Sequence, residues 1–254
     1  MIERTVVGVP LKFIIATREA QSWYGIPGRE WNSQELLEVD ALGLVTAGDR
    51  VLDVGCHHGM IAAWYAARVG KSGRVVAIDP MPHHTVIARL MAKLNELDNM
   101  EVVTAAVGEE RGTIGLDPTS GIVTSGTRLT AAEMVRVDDF AGMAPTLLKI
   151  DVEGYEGAVL RGARRVLETT PNLHIEVHPA FAKMRFGETV NEALAAVDWD
   201  RYDRFACGAG ETGLYERVEW EPGTPVTTHG AGILLARRRP AASRGALRRA
   251  RERR

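Results

Sequence analysis

The sequence predicts an α/β fold, in which a mostly parallel β-sheet is flanked by helices. Residues 50–54 form an apolar run typical of a buried parallel strand. Gly55 and Gly59 then frame a tight turn, and the apolar run 60–67 predicts a helix. A strand, a glycine turn and a helix in this order form the first unit of nucleotide-binding α/β folds. Further along the chain, strands continue to alternate with helices.

The turn itself indicates which ligand to expect. Asp53, Gly55 and Gly59 form a D-x-G-x-x-x-G pattern. This differs from the G-x-G-x-x-G fingerprint of dinucleotide-binding proteins and resembles motif I of the S-adenosylmethionine (SAM) methyltransferases. The glycines let a ligand approach the backbone, and the helix N-terminus offers N–H groups. The next strand, 75–79, ends in Asp79, whose carboxylate can accept both ribose hydroxyls of an adenosine.

The first 47 residues form a segment that precedes the first strand of the sheet. The apolar stretch 6–15 predicts a short strand or a packed lead-in, and residues 33–44 carry leucines and a valine at helical spacing. Between them, Trp23, Tyr24 and Trp31 lie among turn-forming residues. These aromatic side chains either pack against the body or form a lid over a site, and we favour packing.

The middle of the chain continues the alternation of helix and strand. Apolar residues recur at helical spacing over 85–97, and a strand is predicted over 101–105. It leaves the sheet at Ala106, where small residues leave room for an adenine ring or simply form a tight turn. Residues 112–116 predict an outer strand. Residues 117–130 are rich in Asp, Pro, Thr, Ser and Gly and predict a loop that faces the substrate.

The second half of the chain supplies the remaining strands of the predicted sheet. In order, the pattern predicts a strand that ends at Asp151, a helix over 158–167, a strand over 173–177, a helix over 191–197, and strands over 202–207 and 233–236.

Charged side chains gather where two of these strands end. Asp151 and Glu153 follow the strand that contains Lys149, and Glu176 and His178 end the next strand. Ligands in open α/β sheets bind outside the carboxyl ends of the strands, so these side chains converge if the two strands are neighbours. We predict that they form the catalytic centre, where Lys149 pairs with a carboxylate or contacts the cofactor.

Together these stretches resemble the FkbM-type methyltransferase family over roughly residues 35–236. The matching residues are 51–55, Gly59, 73–76, 106–108, 137–140, 149–154, Glu156, 159–163 and 175–178. The resemblance implies a class I methyltransferase fold with a seven-stranded, Rossmann-like sheet. It also implies SAM as the methyl donor and O-methylation of a sugar or natural-product hydroxyl.

The chain departs from this family in two of the expected cofactor contacts. The family's turn commonly reads Gly-Ala-Asn-x-Gly, whereas this chain has His57 at the asparagine position, and the second-strand acid, commonly Glu, is Asp79. Both replacements keep a group that forms hydrogen bonds. The residues expected to bind SAM are Asp53, Gly55, Cys56, His57, Gly59, Asp79, Pro80 and Ala106.

The predicted reaction sets the chemistry that the site must supply. Methyl transfer from a sulfonium depends largely on positioning, but a neutral alcohol also needs a base or a metal. Candidate bases are His178, Asp151 and Glu153, of which His178 has the most suitable ordinary pKa. Alternatively, Asp151, Glu176 and His178 hold a divalent ion, or His178 is a packing residue before Pro179. We slightly favour the metal-free base and assign no metal ligand.

Composition limits the class of protein and its expected location in the cell. The chain has 254 residues, enough for one sizeable core, and no apolar run has the length of a membrane span. Because the N-terminus lacks a signal-peptide pattern and Cys56 and Cys207 do not suggest a disulfide framework, we expect a cytoplasmic protein. His83 and His84, at a helix start, are expected to be ordinary surface residues.

Charge is concentrated at the C-terminus. Residues 237–254 hold nine arginines against Glu252, a net charge of +8, whereas the whole chain carries −2. We therefore expect a segment 1–47, a methyltransferase domain 48–236 and a disordered tail 237–254. A small-molecule hydroxyl acceptor is the favoured partner, and neither a membrane nor a nucleic acid is expected. The alternatives are an RNA-modifying methyltransferase that uses the basic tail and a non-catalytic SAM- or nucleotide-binding module.

Overall fold

The structure of the protein is a computed structural model. It describes residues 1–18, 20–21, 33–117, 129–209, 215–227 and 231–240. The expected packing of Trp23, Tyr24 and Trp31, the greater part of the predicted loop, and the tail beyond Pro240 lie outside the described residues.

The described residues alternate between strands and helices, as the periodicity predicted. The strands are β1 (Ile2–Val6), β2 (Val9–Phe13), β3 (Arg50–Val54), β4 (Arg74–Asp79), β5 (Met100–Thr104), β6 (Ala106–Val107), β7 (Gly112–Leu116), β8 (Thr130–Val135), β9 (Leu147–Ile150), β10 (Asn172–Val177), β11 (Tyr202–Ala209), β12 (Tyr215–Glu219) and β13 (Gly232–Arg238). The helices are α1 (Gln34–Ala41), α2 (Met60–Val69), α3 (Pro82–Leu94), α4 (Glu156–Arg161), α5 (Arg164–Glu168), α6 (Pro179–Phe186) and α7 (Val190–Ala193). Short 3₁₀ turns cover Val137–Met143, Leu194–Ala196 and Trp199–Arg201.

One large sheet organises the molecule, in the strand order β12-β11-β13-β10-β9-β3-β4-β5. Strands β10, β9, β3, β4 and β5 pair in parallel, whereas β13, β11 and β12 add antiparallel pairs at one edge. The predicted α/β class is confirmed, but the described sheet has eight strands rather than seven. The additional strand is β12, whose short and charged sequence, Tyr-Glu-Arg-Val-Glu, lacks the apolar pattern that predicts a strand.

A second, smaller sheet has the order β6-β8-β7. The predicted outer strand, β7, pairs antiparallel with β8 and not with the main sheet. Strand β8 was not predicted, because its sequence, Thr-Ala-Ala-Glu-Met-Val, has little of the β-branched or aromatic character of strands. The strand starts at the last residue of the predicted loop, whose residues 118–128 are not described.

The main sheet carries one apolar layer on each face. Successive residues of a strand point to opposite faces, and in β3 Val51 packs in one buried cluster while Leu52 packs in the other. The first cluster includes Phe13 of the hairpin β1–β2 and Trp64 of α2. Trp64 Nε1 also donates a hydrogen bond to the carbonyl of Val6 at 3.0 Å. The N-terminal hairpin is therefore packed into the core of the body.

The helix predicted over 158–167 is two helices. Helix α4 ends at Arg161 and α5 begins at Arg164. Between them, a Cβ atom built on Gly162 would lie 2.1 Å from the carbonyl oxygen of Gly108. The close approach of the loop after β6 requires a glycine at this position, which lies between the two helices.

Strand β13 extends into the segment 237–254 that the charge pattern predicts as a tail. Strand β13 runs to Arg238, and the guanidinium groups of Arg237 and Arg239 pair with Asp203 of β11 at 3.2 and 2.8 Å. Arg237 lies opposite Asp203 in the antiparallel register, and Arg239 follows directly after the end of β13. In the part of the chain that the structure describes, no helix is both long and apolar enough to cross a lipid bilayer.

Candidate active site

The glycine turn after β3 is pressed against the loop after β9. Gly55 has φ +82°, and a Cβ atom at this position would lie 1.7 Å from the carbonyl oxygen of Asp151. The N–H groups of Gly55 and Cys56 donate to the carbonyl of Ile78 at 2.8 and 3.0 Å. The predicted cofactor turn and the predicted acidic centre are therefore parts of one site, at the carboxyl ends of neighbouring parallel strands.

Asp79, the predicted ribose ligand, anchors this turn. Its Oδ2 accepts a hydrogen bond from the His57 N–H at 2.9 Å, and its Oδ1 accepts from the Met81 N–H at 2.9 Å. The Nδ1 of His84 also donates to Oδ1 at 2.9 Å. Asp79 is only 6% exposed, and since a carboxylate has about four lone-pair sites, roughly one remains for a ribose hydroxyl.

His84 is the clearest failure of the surface prediction. It is buried against the turn, whereas its neighbour His83 is exposed as expected. The reason is that α3 begins at Pro82, three residues after Asp79, so that His84 in its first turn lies 2.9 Å from the Asp79 carboxylate. An acid followed five residues later by a histidine, across a strand-to-helix turn, was the available signal.

The other predicted cofactor residues divide into two groups. Gly55, His57 and Pro80 are half-buried, whereas Asp53, Cys56, Gly59 and Ala106 are buried. Burial raises the pKa of the Cys56 thiol well above its usual value, so it stays protonated. Any contact of the buried group with a cofactor depends on backbone atoms or on opening of the turn.

Lys149 ties the two halves of the site together. Its ammonium lies 3.2 Å from Asp53 Oδ1 and 3.3 Å from Asp151 Oδ2, and it donates to the carbonyl of Gly55 at 3.1 Å. The side chain is almost completely buried. Burial works against its charge, but Asp53 and then Asp151 outweigh this and raise the pKa of the ammonium well above its usual value. Lys149 is thus a permanent cation that positions the carboxylates.

The predicted catalytic residues lie together, because β9 and β10 are parallel neighbours. His178 is at the centre of the group. Its Nε2 lies 3.7 Å from Glu153 Oε2, 3.7 Å from Glu176 Oε1 and 4.0 Å from Asp151 Oδ1. The imidazole also stacks on the ring of Phe181, with an interplanar angle of 6°. This arrangement points one ring nitrogen at three carboxylates.

Glu156 holds the other ring nitrogen of His178. The buried carboxylate accepts from His178 Nδ1 at 2.9 Å and from the Gly154 N–H at 2.9 Å. Burial disfavours the charged imidazolium, yet the hydrogen bond to Glu156 and the surrounding carboxylates raise the pKa of His178 to about 9. No role had been assigned to Glu156 from the sequence, although it lies within the stretch that resembles the FkbM-type family.

The neighbouring carboxyl groups also have shifted pKa values. Burial, followed by the charge of Asp151, raises the pKa of Glu176 to about 8. Burial likewise raises the pKa of Glu153, whose backbone is held at φ +55° while its carbonyl accepts from Arg185 at 2.9 Å. A non-glycine residue in this conformation is strained, and such strain concentrates at functional sites.

The same group has the composition of a cation site. Asp151, Glu153 and His178 each offer one ligand atom, and these atoms all lie within 4.8 Å of one another. Carboxylate oxygens and imidazole nitrogens are ligands for several divalent metals. The geometry therefore fits both a metal-free base and a metal-activated hydroxyl.

A buried chain of polar side chains lies behind this centre. The hydroxyl of Tyr65 lies 2.6 Å from His174 Nδ1, and His174 Nε2 lies 2.9 Å from Glu35 Oε1. Burial disfavours the charge of Glu35, but His174 and then Lys149 lower the pKa of this carboxyl below its usual value. The helix α1 of the N-terminal segment thus contributes a negative charge to the back of the site.

Two curated relatives match short parts of the chain. One is Protein-L-isoaspartate O-methyltransferase 2 of Archaeoglobus fulgidus, 45% identical over 56 residues, which cover 22% of this chain and 26% of the relative. The other is Ribosomal RNA large subunit methyltransferase E of Brachyspira hyodysenteriae, 35% identical over 60 residues, which cover 24% and 31%. The matches thus span about a quarter to a third of these relatives.

A solved structure with a TM-score above 0.5 shows the same fold, and a second one is similar to this chain. A putative rRNA-methylase from Clostridium thermocellum has a TM-score of 0.51 at 13% identity, with 82% of this chain and 97% of that chain covered. Methyltransferase FkbM from Methylobacillus flagellatus KT has a TM-score of 0.47 at 20% identity, with 74% and 43% covered. Residues 53–197, more than half of the sequence, match the Methyltransferase FkbM domain. The chain is therefore a member of the FkbM methyltransferase family.

Proposed function

We propose that this protein is a SAM-dependent methyltransferase that transfers a methyl group to a hydroxyl of a small molecule, a sugar or natural product. The observation that carries the proposal is the placement of His178. Glu156 orients its ring, and its Nε2 faces three carboxylates beside the glycine turn. Membership of the FkbM family supports SAM as the donor.

The charge of the site fits a cationic donor. SAM, when bound, supplies a methyl group on a positively charged sulfur, whose carbon–sulfur bond breaks as the acceptor oxygen bonds to the carbon. Asp151 and Glu153 line the site next to the turn at Gly55, and carboxylates attract a nearby cation. The backbone of the turn, Asp79, Pro80 and Ala106 would hold the remainder of the donor.

His178 has the geometry of a general base. With Nδ1–H donated to Glu156, the lone pair of the neutral ring is at Nε2, on the side of the carboxylates. In the proposed reaction, His178 Nε2 takes the proton of the acceptor hydroxyl. Glu156 then stabilises the imidazolium that forms, as a buried carboxylate does for a catalytic histidine elsewhere. Asp151 and Glu153 orient the acceptor and balance the charge.

The pKa of about 9 has a consequence for this role. At neutral pH most His178 rings in the free protein carry a proton and cannot accept another. A bound cation disfavours a second positive charge nearby, so donor binding lowers the pKa of His178. We therefore expect kcat/KM to rise with pH up to about 9, and kcat to level off at a lower pH.

A metal-dependent mechanism is the alternative within the same site. A divalent ion held by Asp151, Glu153 and His178 would lower the pKa of the acceptor hydroxyl. We favour the metal-free base, since the carboxylates also serve the cationic donor. A chelator distinguishes the two, because only the metal mechanism predicts loss of activity that magnesium or manganese restores.

The test separates donor binding from turnover. Calorimetry should show binding of SAM and of its demethylated product, and no binding of NAD. The protein is then incubated with SAM that carries a deuterated methyl group and with an extract of cells that produce the protein. Mass spectrometry identifies the acceptor as the compound that gains the deuterated methyl group. His178→Ala should lower the rate at saturating SAM by about 100-fold or more, while the exposed His83→Ala serves as the matched control.

Two outcomes would overturn the proposal. Tight binding of NAD without binding of SAM would show that SAM is not the methyl donor. Near-full activity of His178→Ala shows that the histidine is structural, in which case both the base and the metal mechanism fail. Transfer of the label to RNA, in a salt-dependent manner, would instead point to a nucleic-acid acceptor.

A further inference from the structure

Three imidazole rings form a second cluster, outside the acidic centre. His57 and His58 belong to the glycine turn, and His84 lies in the first turn of α3. The rings of His57 and His58 stack, with centroids 3.9 Å apart. His84 meets them edge-on, with centroid distances of 4.2 Å to His57 and 5.1 Å to His58.

His58 is the unusual member of this cluster. It is only 1% exposed, and within the described residues neither of its ring nitrogens has a hydrogen-bond partner. Buried polar groups in folded proteins almost always have a partner. A ring nitrogen in this situation indicates that a group which the protein chain does not itself supply belongs beside it.

The arrangement around His84 indicates what that group is. Each of the three rings offers one ligand nitrogen, and these nitrogens all lie within 4.8 Å of one another. His84 Nδ1 donates to Asp79, which leaves Nε2 as its ligand atom. A carboxylate behind a histidine is the usual support of a metal-bound imidazole, because it fixes the ring orientation and raises its basicity.

We propose that His57, His58 and His84 bind one divalent transition-metal ion of the zinc class, with Asp79 as the residue that positions His84. Neutral imidazole nitrogens suit zinc, copper and nickel and not magnesium or calcium. Three histidines leave a fourth position for water or another ligand. The site is distinct from the one that Asp151, Glu153 and His178 could form, and it does not depend on the proposed methyl transfer.

The test uses the full chain and Zn²⁺ alone, in competition with a chromogenic chelator. We expect one Zn²⁺ per chain at low metal concentration, and Co²⁺ in its place should give the intense visible absorption of a four-coordinate ion. His84→Asn keeps a donor for Asp79 but removes the outer ring nitrogen, and it should weaken Zn²⁺ binding at least about tenfold. His58→Ala should do the same, whereas the exposed His83→Ala, and His178→Ala outside the cluster of three rings, should not.

Three results would overturn the proposal. The first is that the wild type shows no saturable Zn²⁺ binding. The second is that His178→Ala loses Zn²⁺ binding while His84→Asn keeps it. The third is that His83→Ala weakens Zn²⁺ binding as much as His84→Asn does. Circular dichroism of each variant separates a lost ligand from a lost fold, and His84→Asn remains decisive if His58→Ala does not fold. Zn²⁺ should also raise the melting temperature of the wild type and not that of His84→Asn.

Discussion

Replacing Glu156 by glutamine isolates the electrostatic part of the proposed base. Glutamine keeps an oxygen that can accept from His178 Nδ1 and from the Gly154 N–H, so the geometry of the site is retained. What is lost is the negative charge beside the ring. We therefore expect the pKa of His178 to fall without unfolding of the protein.

The size of the effect follows from the hydrogen bond. A hydrogen bond to a charged group contributes about 1.5–3 kcal/mol, and one pKa unit corresponds to about 1.4 kcal/mol. Loss of the charge-assisted bond should thus lower the pKa of His178 by about one to two units. From about 9 in the wild type, the midpoint should move to roughly 7–8.

Nuclear magnetic resonance of the histidine rings measures the pKa of His178 directly, and the experiment does not require the methyl acceptor to be known. The spectrum of His178→Ala assigns the resonance, and pH titration gives the midpoint in the wild type and in Glu156→Gln. Glu109→Gln is the matched control, because Glu109 is an exposed carboxylate whose ion pair among the described residues is with Arg161. A wild-type ring that titrates near 6.5, or an unchanged midpoint in Glu156→Gln, would refute the reasoning.

The free energy of unfolding should also depend on the protonation of His178. The folded pKa of His178 lies above its ordinary value of 6.5, so its contribution is fully present below pH 6.5 and is lost as pH rises through about 9. Glu176 acts in the same direction, because its folded pKa of about 8 lies above 4.5 and ionisation disfavours the folded state. The free energy of unfolding should fall from about pH 5 to pH 9, and less steeply in Glu156→Gln.

Three further perturbations test the framework of the site. Lys149→Met leaves Asp53 as a buried charge without its cation and should cost about 3–5 kcal/mol of unfolding free energy in urea denaturation. Gly55→Ala drives a Cβ atom into the carbonyl of Asp151 at a positive φ and should cost on the order of 3 kcal/mol or more. Deletion of 241–254 should leave the melting temperature and SAM binding nearly unchanged.

Controls for these variants come from the same chain. Lys71 is exposed, so Lys71→Met should leave the urea midpoint unchanged. A Cβ atom on Gly112 meets nothing within 4 Å, so Gly112→Ala should be tolerated. A stable Lys149→Met or Gly55→Ala protein would show that the contact is not required, and a drop of many degrees after tail deletion would show that the tail packs on the body.

The convergence of the acidic side chains could be predicted because it follows from topology. Parallel strands align their carboxyl ends, so Asp151 and Glu153 after one strand meet Glu176 and His178 after its neighbour. The glycine turn could be predicted for the same reason, since Gly55 follows the adjacent strand β3. Neither conclusion required knowledge of any side-chain conformation.

The hydrogen-bond partners of the site histidines could not be predicted, because they depend on how the following helices approach the sheet. Glu156 begins α4 and turns back to His178, 22 residues later, and nothing in the periodicity of either segment fixes that approach. His84 is polar and at a helix start, which favours exposure, yet it is buried and pairs with Asp79 at 2.9 Å.

The eighth strand and the extension of β13 to Arg238 could not be predicted, for a related reason. Strand β12 and the end of β13 lie at the antiparallel edge, where pairing partners and not apolar character determine the structure. The antiparallel register places Asp203 opposite Arg237, and Asp203 also pairs with Arg239 just beyond the strand.

Glu35 has a practical consequence for anyone who shortens or recombines this protein. A fragment limited to the family-matched residues 53–197 would discard α1 and with it the carboxylate opposite His174. Tyr65 and His174 would then be left in the interior without the anion at the end of their chain, and Lys149 would lose one of its distant counter-charges. A chimera between relatives should therefore transfer α1 together with strand β10, because Glu35 of α1 lies 2.9 Å from His174 of β10.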